Sequence, residues 1–197
     1  MTTLQDIESF LALRRLAVVG VSRRANDFTR VLFRELRQRG YDLVPVNPAL
    51  AEMGAEVDGI PCVASIAGVS PPAEGALLLT SATVTDKVLQ DCLQAGIHHV
   101  WLYRASGAGA VSPSAISFCE SHGIQVVGGE CPFMFLPQTG WVHRLHGVCR
   151  KITHTYPPVG QIVNLRRIVN PPARCGSEQP RVGGVGPSHI GPMTLRK

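Results

Sequence analysis

The chain has 197 residues, 45% of them hydrophobic and 17% charged, a length and apolar content that suit one globular domain with a sizeable core and exclude disorder throughout. Its net charge of +5 sits in one place, because residues 1–153 carry 13 Lys and Arg against 13 Asp and Glu, whereas residues 154–197 carry 6 against 1. A basic balance that would point to nucleic acid or an anionic membrane therefore concerns the tail alone, and no run of 18 apolar residues is present to span a bilayer.

Residues 1–6 show no basic stretch leading into an apolar one, so the expectation is a cytoplasmic chain rather than a secreted one. Thr3, with Asp6 three residues on, predicts an N-cap and capping box for a short helix over residues 4–13. Residues 16–19, 42–46, 76–80, 98–102 and 124–127 are short apolar runs of the kind that form buried strands. Between them, Phe28, Val31, Leu32 and Leu36 recur at helical spacing, as do Val84, Val88, Leu89, Cys92 and Leu93. Gly40, Gly96 and Gly123 each follow a helical pattern and precede a strand run, which suits the left-handed residue just past a helix end. Ser112 followed by Pro113 predicts another helix start. Strands alternating with helices in this way predict a Rossmann-like, doubly wound, mainly parallel α/β sheet with helices on both faces.

A last helix is expected over residues 140–152. Beyond it, residues 154–197 are rich in Pro and Gly without periodicity. The expected organisation is thus a folded domain over 1–153 and a basic, disordered tail over 154–197. Arg166, Arg167, Arg174 and Arg181 are dispersed, and no aromatic residue follows Tyr156 to stack a base, so neither nucleic acid nor a membrane is expected as partner.

The six cysteines, Cys62, Cys92, Cys119, Cys131, Cys149 and Cys175, form no CxxC pair, and several lie in apolar runs; they are expected as reduced thiols. His143, His146 and Cys149 are three apart, but a closed zinc site needs a fourth ligand, and an amphipathic helix explains them as well. Metal binding is not expected. Cys131 stands at a strand end before Pro132, with no base beside it in sequence to activate it. Its neighbour Glu130 has no partner at fixed spacing and receives no catalytic role.

After the first strand comes Gly20-Val21-Ser22-Arg23-Arg24, at the place where a doubly wound fold offers N–H groups and a helix N-terminus to phosphate. Against a GxGxxG pattern only Gly20 matches, Ser22 and Ala25 standing at the other two positions. The same residues also suit a plain strand-to-helix turn with two solvated arginines. The second strand ends in Val46-Asn47-Pro48, without the acid that holds a ribose in NAD-binding domains. Asn-Pro there predicts a turn laying backbone groups along a ligand, or simply a turn.

Taken together, Gly20-Val21-Ser22, the segment from Gly40 to Pro48, Leu79-Thr80-Ser81-Ala82 and Gly128-Gly129-Glu130-Cys131-Pro132 resemble the small bacterial CoA-binding proteins. That family is similar to the N-terminal CoA-binding domain of the succinyl-CoA synthetase α subunit. The resemblance covers about residues 12–153 and implies coenzyme A or an acyl-CoA lying across the carboxyl ends of the strands, with no ligase chemistry. It implies that Gly20, Val21, Ser22, Arg23 and Arg24 take the pyrophosphate region and that Val46, Asn47 and Pro48 flank the adenosine. Thr80, Ser81 and Ala82 would then follow the pantetheine arm, and Cys131 would lie near its thiol. Ala82 and the Gly128–Cys131 segment depart from the family pattern. The expected function is binding without catalysis; the alternative is a nucleotide-dependent oxidoreductase or a thiol enzyme in the same crevice.

Overall fold

The computed structural model describes residues 2–104 and 109–136; the helix expected at 140–152, His143, His146, Cys149, Cys175 and the tail lie outside them. Helix α1 (Leu4–Leu11) opens on the expected capping box: Thr3 Oγ1 accepts from the Asp6 N–H at 3.2 Å, and Asp6 Oδ2 accepts from the Thr3 N–H at 2.8 Å. It ends two residues before the predicted limit. The chain continues through β1 (Arg15–Val19), α2 (Phe28–Gln38), β2 (Asp42–Val46) and a short α3 (Pro48–Glu52). A hairpin of two-residue strands, β3 (Glu56–Val57) and β4 (Ile60–Pro61), then leads to β5 (Gly75–Leu78). The last elements are α4 (Ala82–Gln94), β6 (His99–Leu102), α5 (Pro113–Ser121) and β7 (Gln125–Gly128).

The five long strands form one parallel sheet in the order β2-β1-β5-β6-β7. The order reverses at β1, which lies between β2 and β5 with Leu16 opposite both Leu43 and Gly75. This is the doubly wound sheet expected from the alternation. Gly40, Gly96 and Gly123 all take the left-handed conformation, at φ +87°, +74° and +66°, and Ser112 caps α5 as predicted, accepting from the Ala115 N–H at 3.0 Å.

Each face of the sheet buries its own cluster. One holds Ile7, Phe10 and Leu11 of α1, Leu32, Phe33 and Leu36 of α2, and Trp101; the other holds Val88, Leu89 and Cys92 of α4 with Ala115 and Cys119 of α5. Trp101 is fully buried, meets Phe10 edge-on at 5.3 Å, and donates its indole N–H to the Glu130 carbonyl at 2.9 Å. The predicted helix stripes are displaced in two places. Val31 is 43% exposed while Phe33 is fully buried, and Val84 is 47% exposed while Thr85 is fully buried.

Both sheet edges are closed by side-chain chemistry. On β2 the outward-facing Pro45 has no N–H to leave unsatisfied, and its carbonyl accepts from the Val63 N–H at 3.0 Å. On β7 the Thr2 hydroxyl takes the place of a sixth strand, accepting from the Gly128 N–H at 2.9 Å and donating to the Gly128 carbonyl at 3.3 Å.

The shifted α2 stripe has a direct test in urea denaturation. Phe33→Ala is expected to lower the unfolding free energy by about 3–5 kcal/mol, whereas Val31→Ala should change it by less than about 0.5 kcal/mol. Equal effects would restore the predicted stripe.

Candidate functional site

A parallel sheet whose order reverses opens a crevice at the carboxyl ends of the strands flanking the reversal, here β1 and β5. Gly20 leaves β1 at φ +89°, and its N–H donates to the Val46 carbonyl at 2.9 Å. A Cβ at this position would stand 2.9 Å from the Leu79 carbonyl oxygen and 3.2 Å from Thr80 Cγ2. The loop after β1 and the end of β5 thus touch backbone to backbone, with no room for a methyl group.

Beyond Gly20 the loop is knitted to the first turn of α2. Asp27 caps that helix, Oδ1 accepting from the Thr29 N–H at 2.9 Å and from the Thr29 hydroxyl at 2.6 Å. Thr29 Oγ1 in turn accepts from the Ser22 N–H at 2.9 Å, and Ser22 Oγ accepts from the Arg24 N–H at 3.1 Å. A carboxylate therefore already occupies the positive end of α2. Arg23 and Arg24 are exposed, and among the described residues no acceptor meets the N–H of Val21 or Arg23.

Asn47 is held by the protein through both ends of its side-chain amide. Its Oδ1 accepts from the N–H groups of Ala49 and Leu50 at 3.0 and 3.3 Å, and its Nδ2 donates to the Val21 carbonyl at 2.9 Å. The predicted Asn-Pro turn is thus the start of α3, with Asn47 as N-cap and Pro48 as first helical residue. Asn47 also ties the β2 end to the loop after β1, while Val46 is buried and Pro48 is exposed.

On the other side of the crevice, Ser81 precedes α4 without capping it. The Ser81 hydroxyl pairs with Thr83 Oγ1 at 2.9 Å, and among the described residues the N–H groups of Ala82 and Thr83 meet no acceptor. The buried Thr85 hydroxyl donates to the Ser81 carbonyl at 3.0 Å, so the 2.9 Å contact with Thr80 has Thr80 as donor. The open helix N-terminus of this crevice is that of α4.

Farther along the crest the groups are aromatic. Tyr103 follows β6, its N–H bonded to the Leu78 carbonyl at 3.0 Å, and its ring stacks on Phe28 at 4.8 Å and 12°. Phe133 meets Phe28 edge-on at 5.6 Å. Burial raises the Tyr103 hydroxyl above its ordinary range, with the neighbouring Cys131 adding to the effect. The Cys131 thiol is likewise raised, first by burial and then by Glu130, against the opposing pull of the Phe133 and Met134 N–H groups. Glu130 itself is 6% exposed. Asp27, Thr29 and Tyr103 were not singled out by the sequence, and Phe28 only as a member of an apolar helix stripe; of the first three, Asp27 carried a visible signal, as a capping residue type just before an apolar-periodic stretch.

Residues 14–137, which include all five strands of the large sheet, match the CoA binding domain. The chain belongs to the CoA-binding domain family. Among solved structures, a protein of Pyrococcus horikoshii OT3 aligns at a TM-score of 0.59 with 23% identity, over 66% of this chain and 87% of that one. A Thermus thermophilus protein aligns at 0.58 with 24% identity, over 66% and 93%. The acetyl-coenzyme A synthetase 1 of Candidatus Korarchaeum cryptofilum aligns at 0.50 with 21% identity, over 58% of this chain and 25% of that one. These likenesses establish the fold of the CoA-binding domain.

Two cavities of this CoA-binding domain lie away from the crest. One, of about 420 Å³, is at the amino end of the sheet between Ile66, Ala73, Asp91 and Ile97; the other, of about 390 Å³, flanks the β7 edge between Thr2, Ile116 and Gln125. Among the described residues no helix is long and apolar enough to cross a membrane, and no cluster of metal-ligating side chains is present.

Two outcomes are expected at the crest. Gly20→Ala meets both a positive φ and a carbonyl at 2.9 Å, so urea denaturation should show a loss of roughly 1–3 kcal/mol. A thiol whose pKa is raised stays protonated at neutral pH and gains thiolate only as pH climbs past its folded value. Iodoacetamide labelling of Cys131, followed by peptide mass spectrometry, should therefore be slow at neutral pH and still accelerating above about pH 8.5. A rate that levels off below that pH would show an activated thiolate.

Proposed function

We propose that this CoA-binding domain holds coenzyme A or an acyl-CoA across the carboxyl ends of β1, β5 and β6, in the cytoplasm, as a binding module without catalysis. The observation that carries the reading is the position of the crevice: the family match covers the whole sheet, and the sheet reverses at Gly20, where loop and strand end touch.

In this reading Arg23 and Arg24 pair with phosphate oxygens in charge-assisted hydrogen bonds, while Gly20, Val21 and Ser22 supply close backbone around the pyrophosphate. Val46, Asn47 and Pro48 flank the adenosine, and Asn47 also holds the two loops together through its side-chain amide. Thr80, Ser81 and Ala82 follow the pantetheine arm, and the N–H groups of Ala82 and Thr83 add an unneutralised helix terminus on the anion's other side. Cys131 lies toward the thiol end. Its raised pKa supports a binding role over a nucleophilic one.

Calorimetric titration of CoA, dephospho-CoA and NAD at two salt concentrations tests this. CoA is expected to bind, more weakly at high salt and more weakly without its 3′-phosphate, and the Arg23→Ala, Arg24→Ala double variant should lose about tenfold or more in affinity. Binding of NAD in the absence of CoA binding would transfer the crevice to the oxidoreductase alternative.

A further inference from the structure

The crest of the sheet is divided by chemistry. The loop after β1 presents Ser22 and the exposed Arg23 and Arg24, and Asn47 at the end of β2 is bonded to that loop through the Val21 carbonyl. Toward β6 and β7 the crest presents Phe28, Leu79, Tyr103, Cys131 and Met134, all only partly buried and backed by the buried Phe133. The Phe28–Tyr103 stack spans this second half, joining the first turn of α2 to the end of β6 across β5. Among the described residues the charged side chains here are Arg104, exposed and close enough to Gly129 that a Cβ on that glycine would be 3.7 Å from its Nε, and the buried Glu130.

A ligand matching both halves carries anionic charge at one end and apolar carbon at the other. Free CoA ends in a thiol near Cys131 and would leave the Phe28 and Tyr103 rings uncovered, whereas an acyl thioester continues in hydrocarbon onto them. We propose, building on the reading above, that the site takes an acylated CoA whose apolar acyl group lies on the shelf formed by Phe28 and Tyr103 and backed by Phe133. The shelf is continuous with the phosphate-binding half through Gly20 and Leu79, which are in contact, so one ligand covers both. Aromatic faces and half-buried carbon gain from covering by hydrocarbon in proportion to the area removed from water.

The test is a calorimetric series of CoA, acetyl-CoA, butyryl-CoA and hexanoyl-CoA on the full chain. Affinity should rise along the series by about twofold to fourfold per added methylene, fourfold being the value for a fully buried one. The hexanoyl-CoA to CoA affinity ratio should fall several-fold in Phe28→Ser, and likewise in Tyr103→Asn, which attacks the other ring should the first variant not fold. CoA that binds with a flat or falling series overturns the acyl shelf and leaves the CoA reading standing. Absence of binding by every member overturns both. A steep series that neither variant flattens shows that the acyl group lies elsewhere.

Discussion

The architecture of the site depends on the contact between Gly20 and the end of β5. A strand at the point where sheet order reverses has a neighbour on each side, so the residue leaving it must pass between two other strand ends. Gly20 does so by giving its N–H to Val46 on one side and its Cα surface to Leu79 on the other. Only a residue without Cβ, tolerant of φ near +89°, meets both conditions. Once that position is set, the β1–α2 loop is held close over the crest, and Asn47 locks it from the β2 side through Val21.

That same constraint explains the split in chemistry along the crest. The backbone of the loop is drawn down onto β5 at Gly20, Arg23 and Arg24 are exposed along it, and α2 begins where its first residue, Phe28, meets Tyr103 at the end of β6. The polar and aromatic halves are two ends of one short segment, residues 20–28, and follow from its fixed entry.

Much of the fold was legible because its signals are local. Glycines just past helices, short apolar runs and the Ser112–Pro113 cap each act within a few residues. The stripe on α2 was less so: Phe28, Val31, Leu32 and Leu36 fit helical spacing, but Phe28, Leu32, Phe33 and Leu36 fit it as well, and only packing against the sheet decides between them. The pair Asn47–Pro48 carries the same cap-then-proline signature as Ser112–Pro113. It reads as a turn because the helix it starts is five residues long, too short for any apolar period to show. The stack of Phe28 on Tyr103 joins residues far apart in the chain and has no sequence signature at all.

The helix termini give the sharpest instance of what local reading misses about function. In a doubly wound fold the phosphate site is sought at the helix after the first strand, because its N–H groups are unsatisfied. Here the Asp27 carboxylate takes the Thr29 N–H, and a negative charge already at that terminus opposes a second anion. The helix after β5 has no such cap, since Ser81 turns its hydroxyl to Thr83 instead. In the proposed reading, anion binding at this crevice would therefore fall to Arg23 and Arg24 and to the open turn of α4. Which helix end is open depends on a side-chain rotamer, so a loop sequence alone does not locate it.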